Sequence, residues 1–260
     1  MRIALGIEYD GSRFHGWQLQ DPSVRSVQGA VESAIAKVAD HPVRVHCAGR
    51  TDTGVHATGQ VVHFDTDAER SEHSWVFGGN ANLPKDAAVL WARPVSDAFH
   101  ARFSARRRSY RYAIFSRPVR PTFLRGRVAW DYRRLDAQRM AAAAQYLVGR
   151  HDFSSYRAVA CQAKHPVRTV YRLDVARHGE AIVIDVEADG FLHHMVRNIA
   201  GVLMSIGAGE QPPEWAREVL DYRDRTLGGV TGPAEGLYLV DVEYPEEFEL
   251  PRLSHLPAFW

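Results

Sequence analysis

One loop of the sequence combines an acid, an arginine and two glycines in a pattern that suits catalysis. In the stretch AGRTDTGVHATGQVVHF, residues 48–64, Arg50 precedes Asp52 by two positions, and Gly49 and Gly54 lie on either side of the pair. Glycine adopts backbone conformations that other residues avoid, so these two positions allow a tight path. Loops fixed by neighbouring strands often carry catalytic groups, although a surface turn has a similar composition.

Residue spacing excludes several familiar kinds of site in this stretch. The two glycines have the interval of a phosphate-binding loop, but Val55 and His56 follow where Lys and Ser or Thr are required. A serine-nucleophile motif and a second acid in a comparable loop are both absent from the sequence. The lone Asp52 therefore suits a nucleophile that attacks a sugar carbon or an electron-poor ring. The nearby histidines, expected on a strand, a loop and a strand, lack metal-ligand spacing: His46, His56 and His63.

The composition predicts a soluble globular protein. The chain has 260 residues, of which 45% are apolar and 24% charged, enough for one large domain or two ordinary ones. We expect no membrane span, because no apolar run is long enough, and we expect a cytoplasmic protein, because the first residues lack the apolar core of a signal peptide. Cys47 and Cys161 lie far apart, which argues against a disulfide framework or a zinc site.

Charge is unevenly distributed although the net charge is only +1. Residues 100–134 contain eleven arginines and one acid, Asp131, whereas residues 214–249 contain ten acids and three arginines. Such asymmetry places a basic stripe on one face of a nearly neutral protein. A polyanionic partner is therefore compatible with the composition.

Short strands and helices alternate along the chain and predict an α+β fold of two similar halves. Each half is expected to have a mainly antiparallel sheet backed by helices. The expected division is 1–105, with the Asp52 loop, and 106–260. The main expected elements are strands at residues 2–9, 43–47, 61–64, 87–95, 109–115, 169–177, 181–188 and 236–244, and helices at residues 26–39, 136–149, 192–209 and 212–220.

Two further stretches carry groups that could bind a ligand. FHARFSARRRSYRY, residues 99–112, interleaves arginines with aromatic rings, as nucleotide binding requires, although a solvated strand edge with core aromatics has the same pattern. HHMVRN places His194, Arg197 and Asn198 together at the start of a helix. An arginine there could hold a distant carboxylate ionised, or form an ordinary surface salt bridge.

These motifs, in this order, resemble the TruA family of tRNA pseudouridine synthases. The resemblance rests on GRTDTGVHATGQVVHF, FHARFSARRRSYRY, FLHHMVRNIAGVLM and AEGLYLVDVEYP, and it extends from IALGIEYDGSRFHGWQ to the closing strand. It implies isomerisation of uridine to pseudouridine at positions 38, 39 and 40 of the tRNA anticodon stem-loop. It also implies a homodimer with an RNA cleft between the two similar halves, and no metal or cofactor.

The resemblance assigns roles to individual residues. Asp52 matches the catalytic aspartate, Arg50 the arginine that helps the base leave the stem, and Tyr110 the tyrosine that stacks on the target uracil. Arg197 matches the arginine paired with the aspartate, and Leu237 the apolar residue of the pocket. Two segments match RNA-contacting segments of the family: Phe99, His100, Ala101, Arg102 and Phe103, and Cys161, Gln162, Ala163, Lys164 and His165.

One departure and two alternatives remain open at this point. Thr53 replaces the alanine that is usual in the family, which adds a hydroxyl and a β-branch beside Asp52. A nucleic-acid N-glycosylase would use the same basic surface and flipped base but would release the base. A non-catalytic RNA-binding module would not need Asp52 for any product.

Overall fold

The computed structural model describes residues 1–21, 23–161 and 163–251, which form two compact units. The first unit comprises residues 1–106 together with 238–251, and the second comprises residues 107–237. The chain therefore leaves the first unit once and returns to it near its end. In the described part of the chain, no helix is both long enough and apolar enough to cross a membrane.

Strands and helices are numbered here in chain order. The strands are β1 (Arg2–Tyr9), β2 (His46–Cys47), β3 (His56–Asp65), β4 (Ala87–Val95), β5 (Arg107–Ser116), β6 (Ala129–Asp131), β7 (Gly149–Asp152), β8 (Val167–His178), β9 (Ala181–Ala188) and β10 (Leu237–Glu243). The helices are α1 (Val27–Ala39), α2 (Glu72–Asn82), α3 (Ala137–Gln145), α4 (Met195–Gly207) and α5 (Trp215–Tyr222).

The first unit contains a sheet in the order β4, β1, β3, β10, with β2 also paired to β3. β1 is antiparallel to both of its neighbours, and β10 joins β3 through a short parallel pairing of Tyr238 with His56. Ile3, Leu5 and Ile7 are buried, as their alternation predicts. The strand expected at residues 43–47 shortens to β2, which still leads directly into the Asp52 loop.

Two helices complete the first unit. α1 begins as predicted, because the Ser26 side chain accepts a hydrogen bond from the Gly29 N–H at its amino end. α2 is not among the predicted elements. Its glycines lower helix propensity, and it buries only Trp75 and Gly79. The close approach of Gly79 to Val89 provides packing that local sequence does not reveal.

The second unit contains an antiparallel sheet in the order β5, β9, β8, β7, with β6 parallel to β5. α4 is the most buried helix of those described, and α5 follows it as predicted. The predicted helix 136–149 is too long at its carboxyl end. α3 ends at Gln145, and Gly149, with φ of 109°, begins β7. The predicted α+β class, with mainly antiparallel sheets backed by helices, is confirmed.

Candidate active site

The backbone before Asp52 is fixed by the amino-terminal segment of the same unit. The Thr51 carbonyl accepts a hydrogen bond of 2.9 Å from the Trp17 N–H. The Thr51 hydroxyl forms a buried hydrogen bond of 2.8 Å with the hydroxyl of Tyr9, the last residue of β1. Trp17 and Tyr9 are themselves buried. The backbone that leads into Asp52 is therefore held by buried residues of the amino-terminal segment.

The backbone after Asp52 is fixed as well. The Asp52 carbonyl accepts from the Val55 N–H at 3.1 Å, and the Gly54 N–H donates to the Phe14 carbonyl at 3.4 Å. Gly54 has φ of 79°, and Gly16 has φ of 80°. A Cβ on Gly16 would lie 2.8 Å from the Thr51 carbonyl oxygen. The loop and the amino-terminal segment therefore require glycine at the point of closest approach.

Replacing Gly16 with alanine is expected to lower the free energy of unfolding by more than about 1 kcal/mol, because the positive φ and the contact with Thr51 both oppose a side chain. Gly179 is the matched control: its φ is 61°, but nothing lies within 4 Å of a Cβ there. Thermal unfolding of both alanine variants measures the difference. Equal losses of unfolding free energy in the two variants would show that the contact between Gly16 and the Asp52 loop does not contribute to stability.

Side chains of the loop differ in their exposure to solvent. Asp52 is half-buried, whereas Arg50 and Thr53 are exposed. An exposed Arg50 side chain can reach a ligand outside the core. Because Thr53 is exposed, its side chain is not part of the buried core.

His56 does not lie in the loop, as its position in the sequence suggested, but is the first residue of β3. It is buried, and its Nδ1 accepts a hydrogen bond of 3.0 Å from the Gly11 N–H. Its ring stacks on that of Tyr238, with centroids 4.6 Å apart. Its observed contacts thus tie the amino-terminal segment and β10 to the start of β3.

The segment Phe99–Phe103 has both buried and exposed side chains. Phe99 and Ala101 are fully buried, and the Ala101 carbonyl accepts a hydrogen bond of 2.6 Å from the Tyr244 hydroxyl. Arg102 is exposed, and Phe103 is 76% exposed. Of the five residues expected to contact RNA, Arg102 and Phe103 are thus the ones whose side chains are open to a ligand.

This segment lies at the opposite end of β1 from the Asp52 loop. Arg2, the first residue of β1, donates to the Phe99 carbonyl at 2.8 Å, whereas Tyr9, the last, contacts Thr51. Seven residues of strand span about 24 Å. The structure therefore does not bring Phe99–Phe103 together with Asp52, and a ligand that touches both must be roughly 20 Å long.

Tyr110 lies within β5 of the second unit, opposite Val186 of β9. Its side chain is 8% exposed, and its ring packs edge-to-face on Phe191, with centroids 4.9 Å apart. Because β9 and Phe191 restrict the ring, it has a defined orientation. A restricted aromatic ring is suited to stacking on a base.

Arg197 lies in the first turn of α4 and has two hydrogen bonds to Gly232. Its Nε donates to the Gly232 carbonyl, and its own carbonyl accepts from the Gly232 N–H, both at 2.9 Å. A Cβ on Gly232 would lie 2.7 Å from the Tyr112 hydroxyl oxygen. Burial, assisted by Glu235, raises the pKa of Tyr112 well above its usual value, so its hydroxyl remains a neutral donor to the Pro233 carbonyl. The hydrogen bond from Nε to the Gly232 carbonyl thus orients the guanidinium plane of Arg197.

Asn198 has a structural role that the sequence alone did not reveal. It is 2% exposed, and its Nδ2 donates to the Tyr156 carbonyl at 2.7 Å. Its Oδ1 accepts from Thr231 and from Arg225. Asn198 therefore anchors to α4 the segment that contains Thr231 and Gly232, and Gly232 contacts Arg197. Only the tertiary structure shows this, because Asn198 and Thr231 are far apart in sequence.

The second expected RNA-contacting segment begins close to the turn before α4. The Cys161 N–H donates to the Ala158 carbonyl at 3.0 Å, and the Ala158 N–H donates to the His193 carbonyl at 2.9 Å. Lys164 and His165 are exposed, whereas Cys161 and Ala163 are partly buried. Gln162 lies outside the described residues. The second unit thus places Cys161 near the helix that carries Arg197.

Leu237 is buried at the start of β10, with 6% of its surface exposed. The preceding residue, Gly236, has its Cβ position 2.7 Å from the carbonyl oxygen of Ala113 in β5. Tyr110 lies three residues earlier on the same strand. The close approach at Gly236 therefore fixes the backbone of Leu237 against the strand that carries Tyr110.

The chain is similar in sequence to known tRNA pseudouridine synthases. A family model described as tRNA pseudouridine synthase matches residues 6–104 and 143–245. The tRNA pseudouridine synthase A of Nitrosococcus oceani is 61% identical over 260 residues, which is 100% of both chains. That of Pseudomonas aeruginosa is 62% identical over 258 residues, 99% of this chain and 90% of its own. In a solved structure of a Cbf5-Nop10-Gar1 complex, a matching chain covers 91% of this chain and 48% of its own, with 10% identity and a TM-score of 0.37.

The fold and site define an α+β protein that presents one half-buried aspartate in a rigid loop. The same unit displays the exposed side chains of Arg102 and Phe103 about 20 Å from this loop. With a family model covering most of the chain and relatives above 60% identity, the chain belongs to the tRNA pseudouridine synthase family. The resemblance deduced from the sequence motifs is confirmed.

Proposed function

We propose that this protein converts uridine to pseudouridine in the anticodon stem-loop of tRNAs, at positions 38, 39 and 40. The observation that carries the proposal is the 61% identity, over the whole length of both chains, to the tRNA pseudouridine synthase A of Nitrosococcus oceani. A ligand that contacts both the Asp52 loop and the Phe99–Phe103 segment must span about 20 Å, which supports a large RNA substrate.

In this proposal Asp52 is the nucleophile and attacks either the anomeric carbon of the target nucleotide or its uracil ring. The bond between the sugar and N1 of uracil breaks, and a bond between the same sugar carbon and C5 forms. The hydrogen at C5 is lost and N1 gains one. Because no atoms are gained and no electrons are transferred overall, the reaction requires no redox cofactor or nucleotide fuel.

Other residues act on the RNA. A uracil in a stem must leave its base pair before it can react, at a cost of a few kcal/mol. We assign Arg50 to promoting this step, Tyr110 to stacking on the extruded base, and Leu237 to the apolar wall of the pocket. Arg197 is assigned to pairing with the Asp52 carboxylate, which keeps it charged and oriented.

Intact mass and nucleoside content of the RNA test the proposed reaction against both alternatives. Purified protein is incubated with unmodified tRNA, and we expect an unchanged RNA mass together with newly formed pseudouridine. A glycosylase would lighten the RNA by one base, and a binding module would change neither quantity. Either of those results would overturn the proposal.

The arginines of residues 102–111 differ in their exposure to solvent, which indicates the better candidates for phosphate contacts. Arg107 pairs with Glu187 at 2.8 Å, and Arg111 forms two hydrogen bonds of 2.8 Å with the Asp185 carboxylate. Arg102 and Arg106 have exposed side chains. Exposed guanidinium groups are accessible to the phosphates of a bound RNA.

We therefore expect Arg102→Gln and Arg106→Gln to weaken tRNA binding and to flatten its salt dependence. Each lost phosphate contact lowers the slope of log affinity against log salt by about one. Arg111→Gln is the matched control, because its charge is already neutralised by Asp185. The measurement is tRNA affinity over a range of salt concentrations. If the slope of log affinity against log salt equals that of the unsubstituted protein in both variants, Arg102 and Arg106 have a structural role instead.

We further propose that the protein acts as a homodimer in the cytoplasm, as the family resemblance implies. The chain has a mass of 29.2 kDa. Sedimentation equilibrium at working concentration tests the oligomeric state directly. A mass equal to that of one chain would overturn the homodimer.

A further inference from the structure

Two histidines hold the backbone of the Phe99–Phe103 segment. The Nδ1 of His63, in β3, accepts a hydrogen bond of 3.1 Å from the Ala101 N–H. His63 is 2% exposed and lies beneath the segment. Its Nδ1 therefore satisfies a backbone donor that solvent does not reach.

His100 holds the next two residues from within the segment. Its Nδ1 accepts from the N–H groups of Arg102 and Phe103, at 3.1 and 3.3 Å. Its own N–H donates to the Ser104 hydroxyl at 2.9 Å, and its carbonyl accepts from the Ser104 N–H. This arrangement closes a turn in the way that an asparagine side chain often does.

The two rings are also packed together and against the exposed aromatic. The rings of His63 and His100 lie 4.6 Å apart, and that of His100 lies 4.3 Å from Phe103. One side of the Phe103 ring thus faces His100, while 76% of the residue remains exposed. The exposed part of Phe103 is available for stacking on a base or ribose.

Acceptor roles require that both histidines be neutral at Nδ1, and the surrounding charges favour this state. Burial, together with the charges of His100, Arg2 and His46, lowers the pKa of His63 to about 4, although Asp65 opposes the effect. Burial, with His46, Arg2 and Arg102, also lowers the pKa of His100. A charged imidazole would present an N–H to the backbone N–H groups and would break the turn.

We propose that His63 and His100 are positioning residues for tRNA binding, which hold the turn of residues 99–104 so that Arg102 and Phe103 face the RNA. This inference rests on the proposed function, because it takes tRNA to be the ligand. It concerns affinity and not chemistry. Neither histidine needs to touch the RNA or the reacting base.

Paired substitutions separate the two ring nitrogens of His63. Asparagine places an oxygen where Nδ1 lies, whereas glutamine places its polar atoms near Nε2 instead. In the full chain without RNA, we expect His63→Gln to reduce amide-exchange protection at Ala101 by roughly 3- to 10-fold, as loss of one neutral hydrogen bond implies. His63→Asn should retain most of that protection. His100→Ala and His100→Asn form the second pair, read at the Arg102 and Phe103 amides.

Affinity for unmodified tRNA is then measured for the same proteins. His63→Gln and His100→Ala are expected to raise Kd and KM together by roughly 3- to 10-fold with kcat nearly unchanged, and the asparagine variants should be close to the original. His46→Asn is the control. Its ring stacks on His63, with centroids 5.0 Å apart, but its side chain is exposed on β2.

Unchanged protection or affinity in His63→Gln and His100→Ala would overturn the inference. A fall in kcat at unchanged Kd would also overturn it, because it would place the histidines in the chemistry. Exchange is read without RNA, so it tests the turn even if the proposed function fails. Formation of pseudouridine by the unsubstituted protein in the same preparation reports separately on that function.

Discussion

Asp52→Asn is expected to abolish pseudouridine formation while tRNA binding stays largely intact. An amide has the shape of the carboxylate but cannot act as an anionic nucleophile, so turnover should fall by on the order of 10⁴-fold or more. The backbone around Asp52 should not change, because the N–H groups of Trp17, Val55 and Gly54 that hold it donate to backbone carbonyls. Single-turnover measurements with excess enzyme, together with tRNA affinity, check the expectation.

Asp67→Asn provides the control for Asp52→Asn, since Asp67 is an exposed carboxylate in the same unit. It should react at the normal rate. Near-normal turnover of Asp52→Asn would remove Asp52 from the mechanism. A large loss of affinity in that variant would instead assign Asp52 to RNA binding.

Arg197→Lys is expected to lower turnover by roughly 10²-fold or more although the positive charge is kept. A guanidinium can fork onto both oxygens of a carboxylate, whereas an ammonium acts as a point charge. Lysine also has no counterpart of the Nε that donates to the Gly232 carbonyl at 2.9 Å. The variant thus loses both the fork and the contact that orients it.

Arg50→Lys is expected to behave differently, because the Arg50 side chain is exposed and its predicted role is to help the base leave the stem. Its activity should fall mainly on a stable stem and recover when the target uridine is mismatched, since a mismatched base is less costly to extrude. Arg197→Lys should remain impaired on both substrates. If the mismatch rescues Arg197→Lys and not Arg50→Lys, the two roles are reversed.

Local patterns predicted most elements of the fold because the signals are local. Ser26 caps α1, the alternating apolar residues of β1 are buried, and β8 and β9 form the expected antiparallel pair. α2 was missed because its glycines resemble a loop, and its stability comes from contacts with α1 and β4. The return of β10 to the first unit depends on long-range pairing, which no local pattern encodes.

For the candidate site, the sequence motifs indicated Asp52, Tyr110 and Arg197 but not the groups that hold them. The hydrogen bond between Tyr9 and Thr51 and those between Arg197 and Gly232 join residues that are distant in sequence. The sequence also did not separate buried from exposed members of Phe99–Phe103, because a turn has no regular periodicity. Those distinctions require the tertiary structure.

The central claim is tested most directly by mapping pseudouridine at single-nucleotide resolution in unmodified tRNAs that carry uridine at only one of positions 38, 39 and 40. We expect the purified protein to modify each of these positions and to leave uridines outside the anticodon stem-loop unchanged, and we expect no signal with Asp52→Asn. Pseudouridine confined to other regions of the tRNA, or an undiminished signal with Asp52→Asn, would contradict the central claim.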